Sequence, residues 1–273
     1  MSGSGNDFVF ADGRATPLSF WTADRIREVC NRQTGVGGDG FSLLEPGSHP
    51  GAIRFHYFNR DGLRAEMCGN ASLCAARLAL WTEMAGDRLS LETDYGVVAA
   101  QSLQGPGELA EISLPALSGL APVAAIIPVP GESAAHFVQV GVPHLVVPVE
   151  DLKAADVVGR GRVLRFDPSL GPGGANVNFV GRVGGEWALR TYERGVEDET
   201  LACGTGSVAT AATLVHTGRA TFPVELRTRS GCVLTVSGLP IPGGVGGGAR
   251  GGAFGDIRLR GQGRLVYRAI LGQ

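Results

Sequence analysis

Hydrophobic and polar positions change period several times along this chain. Asp24 to Arg32 spaces its apolar residues as a short amphipathic helix does, and it ends before Thr34-Gly35. Ile53 to Phe58 alternates instead, which predicts a strand. Leu89–Thr93, His136–Val140, Asn178–Val183 and Trp187–Tyr192 read as further short strands, with turn residues between them. Two stretches are rich in alanine and predict helices: Ala71 to Ala85, after Cys68-Gly69, and Ser207 to His216, after Cys203-Gly204 and closing at Gly218. The mixture predicts an α+β fold with mixed sheets.

The pattern also repeats. Met67-Cys68-Gly69-Asn70-Ala71-Ser72 recurs as Ala202-Cys203-Gly204-Thr205-Gly206-Ser207, Gly35–Gly40 as Gly171–Asn176, and Gly5–Val9 as Gly141–Leu145, at offsets of 135 and 136 residues. A spacing of half the chain points to a duplicated domain and not to a short-period solenoid. The junction is expected in Leu114–Pro122, where Pro115, Gly119 and Pro122 interrupt the pattern, giving domains of residues 1–117 and 118–273 with residues 262–273 returning to the first. Glu150 to Asp156 reads as helical, and Gly238 to Gly255 as a flexible glycine-rich loop between two strands. By symmetry with the strand before Gly141, a strand would precede Gly5, but the sequence holds only Met1–Ser4 there, so that strand is expected to be missing and the natural start to lie upstream.

Composition narrows the functions. At 273 residues and 44% hydrophobic, the chain can fill two cores, and a net charge of −2 offers no basic field for nucleic acid or an anionic membrane. No charged segment followed by an apolar core opens the chain, and five cysteines, an odd number, suit reduced thiols, so a cytoplasmic protein is expected. Nucleic acid and membrane are not expected as partners; a small-molecule substrate and, at most, a second copy of the chain in a homodimer remain. The one lysine, Lys153, lies away from every motif, which argues against pyridoxal phosphate, and no Cys-x-x-Cys or paired histidine spacing supports a metal. No cofactor is expected.

The chemistry sits with the repeated cysteines. A thiol at a helix N-terminus is biased toward thiolate, and the amides of Gly69, Asn70, Gly204 and Thr205 offer a carboxylate site at the same two helix ends. Two thiols flanking one α carbon could remove a proton from one face and deliver one to the other. Cys30, Cys74 and Cys232 lack the glycine turn and read as core. Gly35–Gly40 fits G-x-G-x-x-G but follows a helix, so it reads as a tight turn toward a ligand or the other domain and not as a dinucleotide site. Glu193-Arg194 could hold an ammonium and a carboxylate, or form a surface ion pair. Asn59 and Asn176 lie near turns, and His144 after Pro143 is ambiguous.

Taken together, Gly5-Asn6-Asp7-Phe8-Val9, Phe58–Gly62, Glu66-Met67-Cys68-Gly69-Asn70, Pro143-His144, Asn176, Glu193-Arg194-Gly195 and Thr200–Gly206 resemble the diaminopimelate epimerase family over nearly the whole chain. The resemblance implies two pseudo-symmetric domains, each a mostly antiparallel mixed sheet wrapped round a central helix, with the active site in the cleft between them. It implies a pyridoxal-independent isomerase interconverting LL- and meso-diaminopimelate for lysine and cell-wall synthesis. Cys68 and Cys203 would be the acid/base pair, and Gly69, Asn70, Gly204 and Thr205 would bind the α-carboxylate. Asn6 and Glu193 would meet the α-amino group, Asn59, Asn176 and Arg194 would hold the distal end, and His144 would have a supporting place. Val142 stands where the family often has asparagine. The loop from Arg194 to Cys203 is one residue longer than a common family form, through Glu197-Asp198, which is expected to be harmless. The alternatives are a racemase of another amino acid on the same scaffold, and a thiol redox protein.

Overall fold

The structure is a computed structural model, described over residues 1–241 and 252–271. It divides into two compact units, residues 1–113 with 260–273, and residues 114–259.

In the first unit β1 (Ser2–Gly3) and β2 (Asn6–Asp12) precede α1 (Ala23–Cys30). Then follow β3 (Gly40–Pro46), β4 (Ala52–Asn59), β5 (Arg64–Ala65), α2 (Gly69–Trp81), β6 (Arg88–Thr93), β7 (Gly96–Ser102) and β8 (Leu109–Leu114). The second unit holds β9 (Leu117–Pro122), β10 (His136–Val140), β11 (Val142–Pro148), α3 (Val157–Arg165), β12 (Asn176–Val183), β13 (Glu186–Glu193), β14 (Asp198–Thr200), α4 (Gly204–His216), β15 (Val224–Arg227) and β16 (Val233–Pro240). The last strand, β17 (Gly252–Arg264), carries the chain back into the first unit. The strand expected to be missing ahead of Gly5 is present in short form as β1, which pairs with β2 and β17.

The duplication is visible in the pairing. β2 runs parallel to β3 with Phe8 opposite Gly40, and β11 runs parallel to β12 with His144 opposite Asn176, each residue shifted by 136. Antiparallel β3–β4 and β12–β13 follow, then parallel β4–β6 and β13–β15. In each unit one helix of 13 residues packs against several strands, α2 against β1, β3, β4, β6 and β7, and α4 against β10 to β13, β15 and β16. Both are apolar or small nearly all round, as a helix enclosed by sheet must be. From Gly204 to Leu214 only Thr205 is not fully buried.

Two local expectations are corrected, and two further segments gain detail. Lys153 lies in a turn and not a helix, because Asp151 accepts the amides of Lys153 and Ala154 and competes with helical bonding; the helix there is α3, starting at Val157 behind its Asp156 cap. Within the segment expected to hold the junction, Leu117–Pro122 forms β9, since Leu117 and Leu120 are buried and the strand has ladder partners in both β10 and β17. Of the glycine-rich loop, residues 242–251 lie outside the described residues, while Gly238 and Gly252–Gly255 belong to β16 and β17. The turn at Gly35–Gly40 wraps onto the end of α1, its amides reaching the carbonyls of Asn31, Val29 and Cys30.

Candidate active site

Each repeated cysteine caps its buried helix. Cys68 (φ −130°, ψ 120°) and Cys203 (φ −126°, ψ 111°) are both extended, as helix caps are, so each lies beside the first-turn amides of α2 or α4. A serine one turn on fixes each junction: Ser72 and Ser207 each donate backbone N–H (2.8 and 2.9 Å) and Oγ–H (2.9 and 2.9 Å) to the carbonyl of Cys68 or Cys203. The two thiols differ in cover. Cys203 is buried and its Sγ accepts the Gly206 amide at 3.3 Å, whereas Cys68 is half-buried and its side chain has no capping bond. Cys30 and Cys74 are buried, and burial pushes both thiols up, Cys30 to about 11. Cys232 is only half-buried, because it sits in the Thr228–Cys232 turn and not in the core.

Short strands anchored by ion pairs lead into both cysteines. Ahead of Cys68, Arg64 of β5 grips Asp94 and donates to His56 Nδ1 at 2.9 Å, while Asp94 also takes Arg54 at 2.8 Å. Ahead of Cys203, the carboxylate of Glu199 on β14 is enclosed by Arg190 (2.7 and 2.8 Å) and Arg229. The Glu199 carboxylate is buried, so stripping its arginines is the costly change, typically about 3–5 kcal/mol, whereas the Asp94 pairs are solvent-exposed and contribute about 1 kcal/mol or less.

In the first unit Asn6 opens β2 opposite Gly3, and Gly3 sits so close to the Asn70 carbonyl that a Cβ there would approach it to 2.5 Å. β1 therefore carries Asn6 to the start of α2. Asn6 Oδ1 is buried without a hydrogen-bond partner among the described residues. Arg32 fixes the neighbouring Asp7 through paired bonds of 2.7 and 2.8 Å, and reaches Asp39 at 2.8 Å. Its guanidinium lowers the Asp7 pKa below the usual carboxylate value. Asn59 ends β4 exposed, its backbone closing the turn to Leu63.

In the second unit the constellation is continuous. Asn176 Oδ1 accepts the Arg194 amide at 2.7 Å, and its Nδ2 reaches Pro143 O at 3.5 Å. The half-buried Arg194 side chain forms no ion pair among the described residues, so the surface pair with Glu193 is not made. Glu193, also half-buried, ends β13 beside β14. Val142 opens β11, paired with Val140 across the Gly141 turn.

A residue that sequence reasoning missed links His144 to the cysteine. Asn178 is fully buried; its Oδ1 accepts Thr191 Oγ1 at 3.0 Å, and its Nδ2 donates to Leu145 O (3.1 Å) and His144 Nδ1 (3.2 Å). With Nδ1 accepting, the neutral imidazole carries its proton on Nε2, which is buried without a partner among the described residues. Asn178 also lies against α4, since a Cβ at Gly206 would meet its Oδ1 at 2.3 Å and Cys203 Sγ at 3.1 Å. Only glycine fits there. The side chains of Asn178 and Thr191 face each other across the β12–β13 ladder, a relation that no local motif announces.

Burial, and then the Arg194 charge, push His144 down to about 3. An unfolded histidine titrates near 6.5, so between about 6.5 and 3 the unfolded chain holds the extra proton and stability falls as pH falls. At pH 5 this amounts to about 2 kcal/mol. Denaturation of the native chain and of His144→Gln between pH 7 and 5 checks it: the native chain should lose stability more steeply, and equal slopes would mean that the folded ring is charged.

Among the described residues no three His, Cys, Asp or Glu side chains converge as a metal site requires. What the geometry presents is a repeated thiol at a helix N-terminus, with amide donors beside it and, in the second unit, a cation without an ion-pair partner. A family model described as diaminopimelate epimerase matches residues 1–107 and 136–237. The chain belongs to the diaminopimelate epimerase family. It is 42% identical over 273 residues to the diaminopimelate epimerase of Gemmatimonas aurantiaca, covering 98% of this chain and 96% of that one. To the diaminopimelate epimerase of Aquifex aeolicus it is 41% identical, covering 86% and 88%. A solved structure of a predicted epimerase from Pseudomonas aeruginosa shares the fold, with a TM-score of 0.65 at 24% identity, covering 97% of this chain and 94% of that one. Membership makes the chain an isomerase. No described helix is long and apolar enough to cross a membrane.

Proposed function

We propose that the chain interconverts LL- and meso-2,6-diaminopimelate without a cofactor, with Cys68 and Cys203 as thiolate and thiol on opposite faces of the α carbon. The observation that carries this reading is the repeated junction itself: a cysteine capping a buried helix, its carbonyl fixed by a serine four residues on. One sulfur takes the α proton as thiolate while the other gives its proton to the opposite face, so the two exchange protonation states and the centre inverts. The developing negative charge spreads onto the α-carboxylate, where the amides of Gly69, Asn70, Gly204 and Thr205 act as preorganised donors.

Asn6 Oδ1, a buried acceptor, suits the α-ammonium, with Glu193 as the second acceptor. Arg194 takes the distal carboxylate as a forked donor, with Asn59 and Asn176 on the distal ammonium end. His144, held neutral, supports the site without adding charge. The reaction would supply lysine and cell-wall precursors in the cytoplasm, where thiols stay reduced.

The test is to incubate the purified protein under reducing conditions with LL-diaminopimelate and with a panel of single L-amino acids, following stereochemistry. Formation of the meso isomer ahead of any other inversion is expected. Faster inversion of a monocarboxylic amino acid would favour a racemase on the same scaffold, and no inversion at all would favour a redox protein.

A further inference from the structure

Arg194 is held at its backbone by Asn176, but its side chain has no carboxylate to orient it among the described residues. Two loops surround it. One is Gly171–Gly174 before β12, where a Cβ at Gly173 would lie 3.5 Å from Arg194 Nη1; the other is the Gly195–Glu197 turn that follows Arg194. Both loops are tied to a single side chain at the end of α3. Arg165, 8% exposed, donates Nη1 to Gly173 O at 2.9 Å, and its Nε reaches Glu197 Oε1 at 3.2 Å. The same Glu197 oxygen accepts the Gly195 amide at 3.0 Å, and the Glu197 amide returns to Glu193 O at 2.8 Å. The loop cannot drift from α3: Gly174, at φ +57°, packs so tightly that a Cβ would come within 2.0 Å of Arg165 O. Glu197, also at φ +57°, is not glycine, so its strained backbone is held by these contacts.

We infer that Arg165 and Glu197 form a clamp that positions the Arg194 guanidinium for recognition of the distal carboxylate. The inference rests on the diaminopimelate reading proposed above. Arg165 and Glu197 are positioning residues, acting on substrate only through Arg194. Arg165 fixes the floor under the guanidinium at Gly173 and the turn beyond it at Gly195, and without it the fork samples orientations that do not meet a carboxylate.

Glu197→Gln keeps an acceptor for Gly195 but drops the charge that binds Arg165; Arg165→Leu removes the clamp. For diaminopimelate, Glu197→Gln should raise KM about tenfold, a small misplacement being costly in an oriented site. Its kcat should stay within about twofold, as expected when only binding of a remote group is lost. The decisive arm is coupling: in an Arg194→Ala background, Glu197→Gln and Arg165→Leu should change kcat/KM no further. Equal losses with and without Arg194, or a fall in kcat at unchanged KM for Glu197→Gln, would overturn the clamp. Melting curves of the wild type and of each variant separate unfolding of Arg165→Leu from lost positioning, and Glu197→Gln carries the test if Arg165→Leu does not fold. A wild-type chain that fails to turn over diaminopimelate would overturn the substrate reading, and the clamp's purpose with it, before any variant is compared.

Discussion

Cys68→Ser and Cys203→Ser should each lose about a thousandfold or more in kcat/KM for epimerisation, in both directions, because each removes one member of an acid/base pair. A serine hydroxyl at neutral pH is a far poorer base than a thiol. The structure makes the loss interpretable, since serine is among the better helix caps and the bonds from Ser72 and Ser207 go to the carbonyl of residues 68 and 203, not to the sulfur. Both variants should therefore melt at or above the native temperature while inactive. Wild-type turnover in either one would break the paired-thiol account, and a large drop in melting temperature would mean that the sulfur is structural.

Arg194→Ala should lower kcat/KM for diaminopimelate about a hundredfold, as loss of charge-assisted hydrogen bonds of about 1.5–3 kcal/mol implies. No other cation among the proposed binding residues can take the distal carboxylate. Val142→Asn adds a donor beside the Pro143 carbonyl that Asn176 reaches, and should change apparent affinity only about fivefold or less, the scale of one neutral hydrogen bond. Kinetics of both variants with diaminopimelate and with a monocarboxylic amino acid decide between the epimerase and the rival racemase. If Arg194→Ala were tolerated and the monocarboxylic substrate preferred, the distal-carboxylate assignment would fall.

The cysteine junctions were legible because the information there is local: a cysteine, a glycine and an alanine-rich run specify cap, turn and buried helix within one stretch of chain. The duplication was legible for a related reason, since matching turns survive at matching offsets. α3 was not, because Gly159 and Gly161 argue against a helix, and Gly161 is there to let Tyr192 pack, a Cβ at that position coming within 2.7 Å of the Tyr192 Cβ. Nor was β9, whose proline and glycine signals are outweighed by ladder partners on β10 and β17. The site residues that went unseen share one property: Asn178 works through His144 and Thr191, and Arg165 through Gly173 and Glu197, partners 8 to 34 residues distant. Glu197 read as a harmless extra residue for the same reason, since its partner Arg165 is 32 positions away.

The most direct test of the central claim is the fate of the α hydrogen when LL-diaminopimelate turns over in deuterated water. With two thiols, the one that donates carries solvent deuterium and the one that abstracts keeps the substrate hydrogen. Early product should then carry one deuterium at the inverted carbon, while unreacted substrate stays unlabelled. Product that retains the substrate's own hydrogen would require a single base serving both faces, and would contradict the paired roles of Cys68 and Cys203.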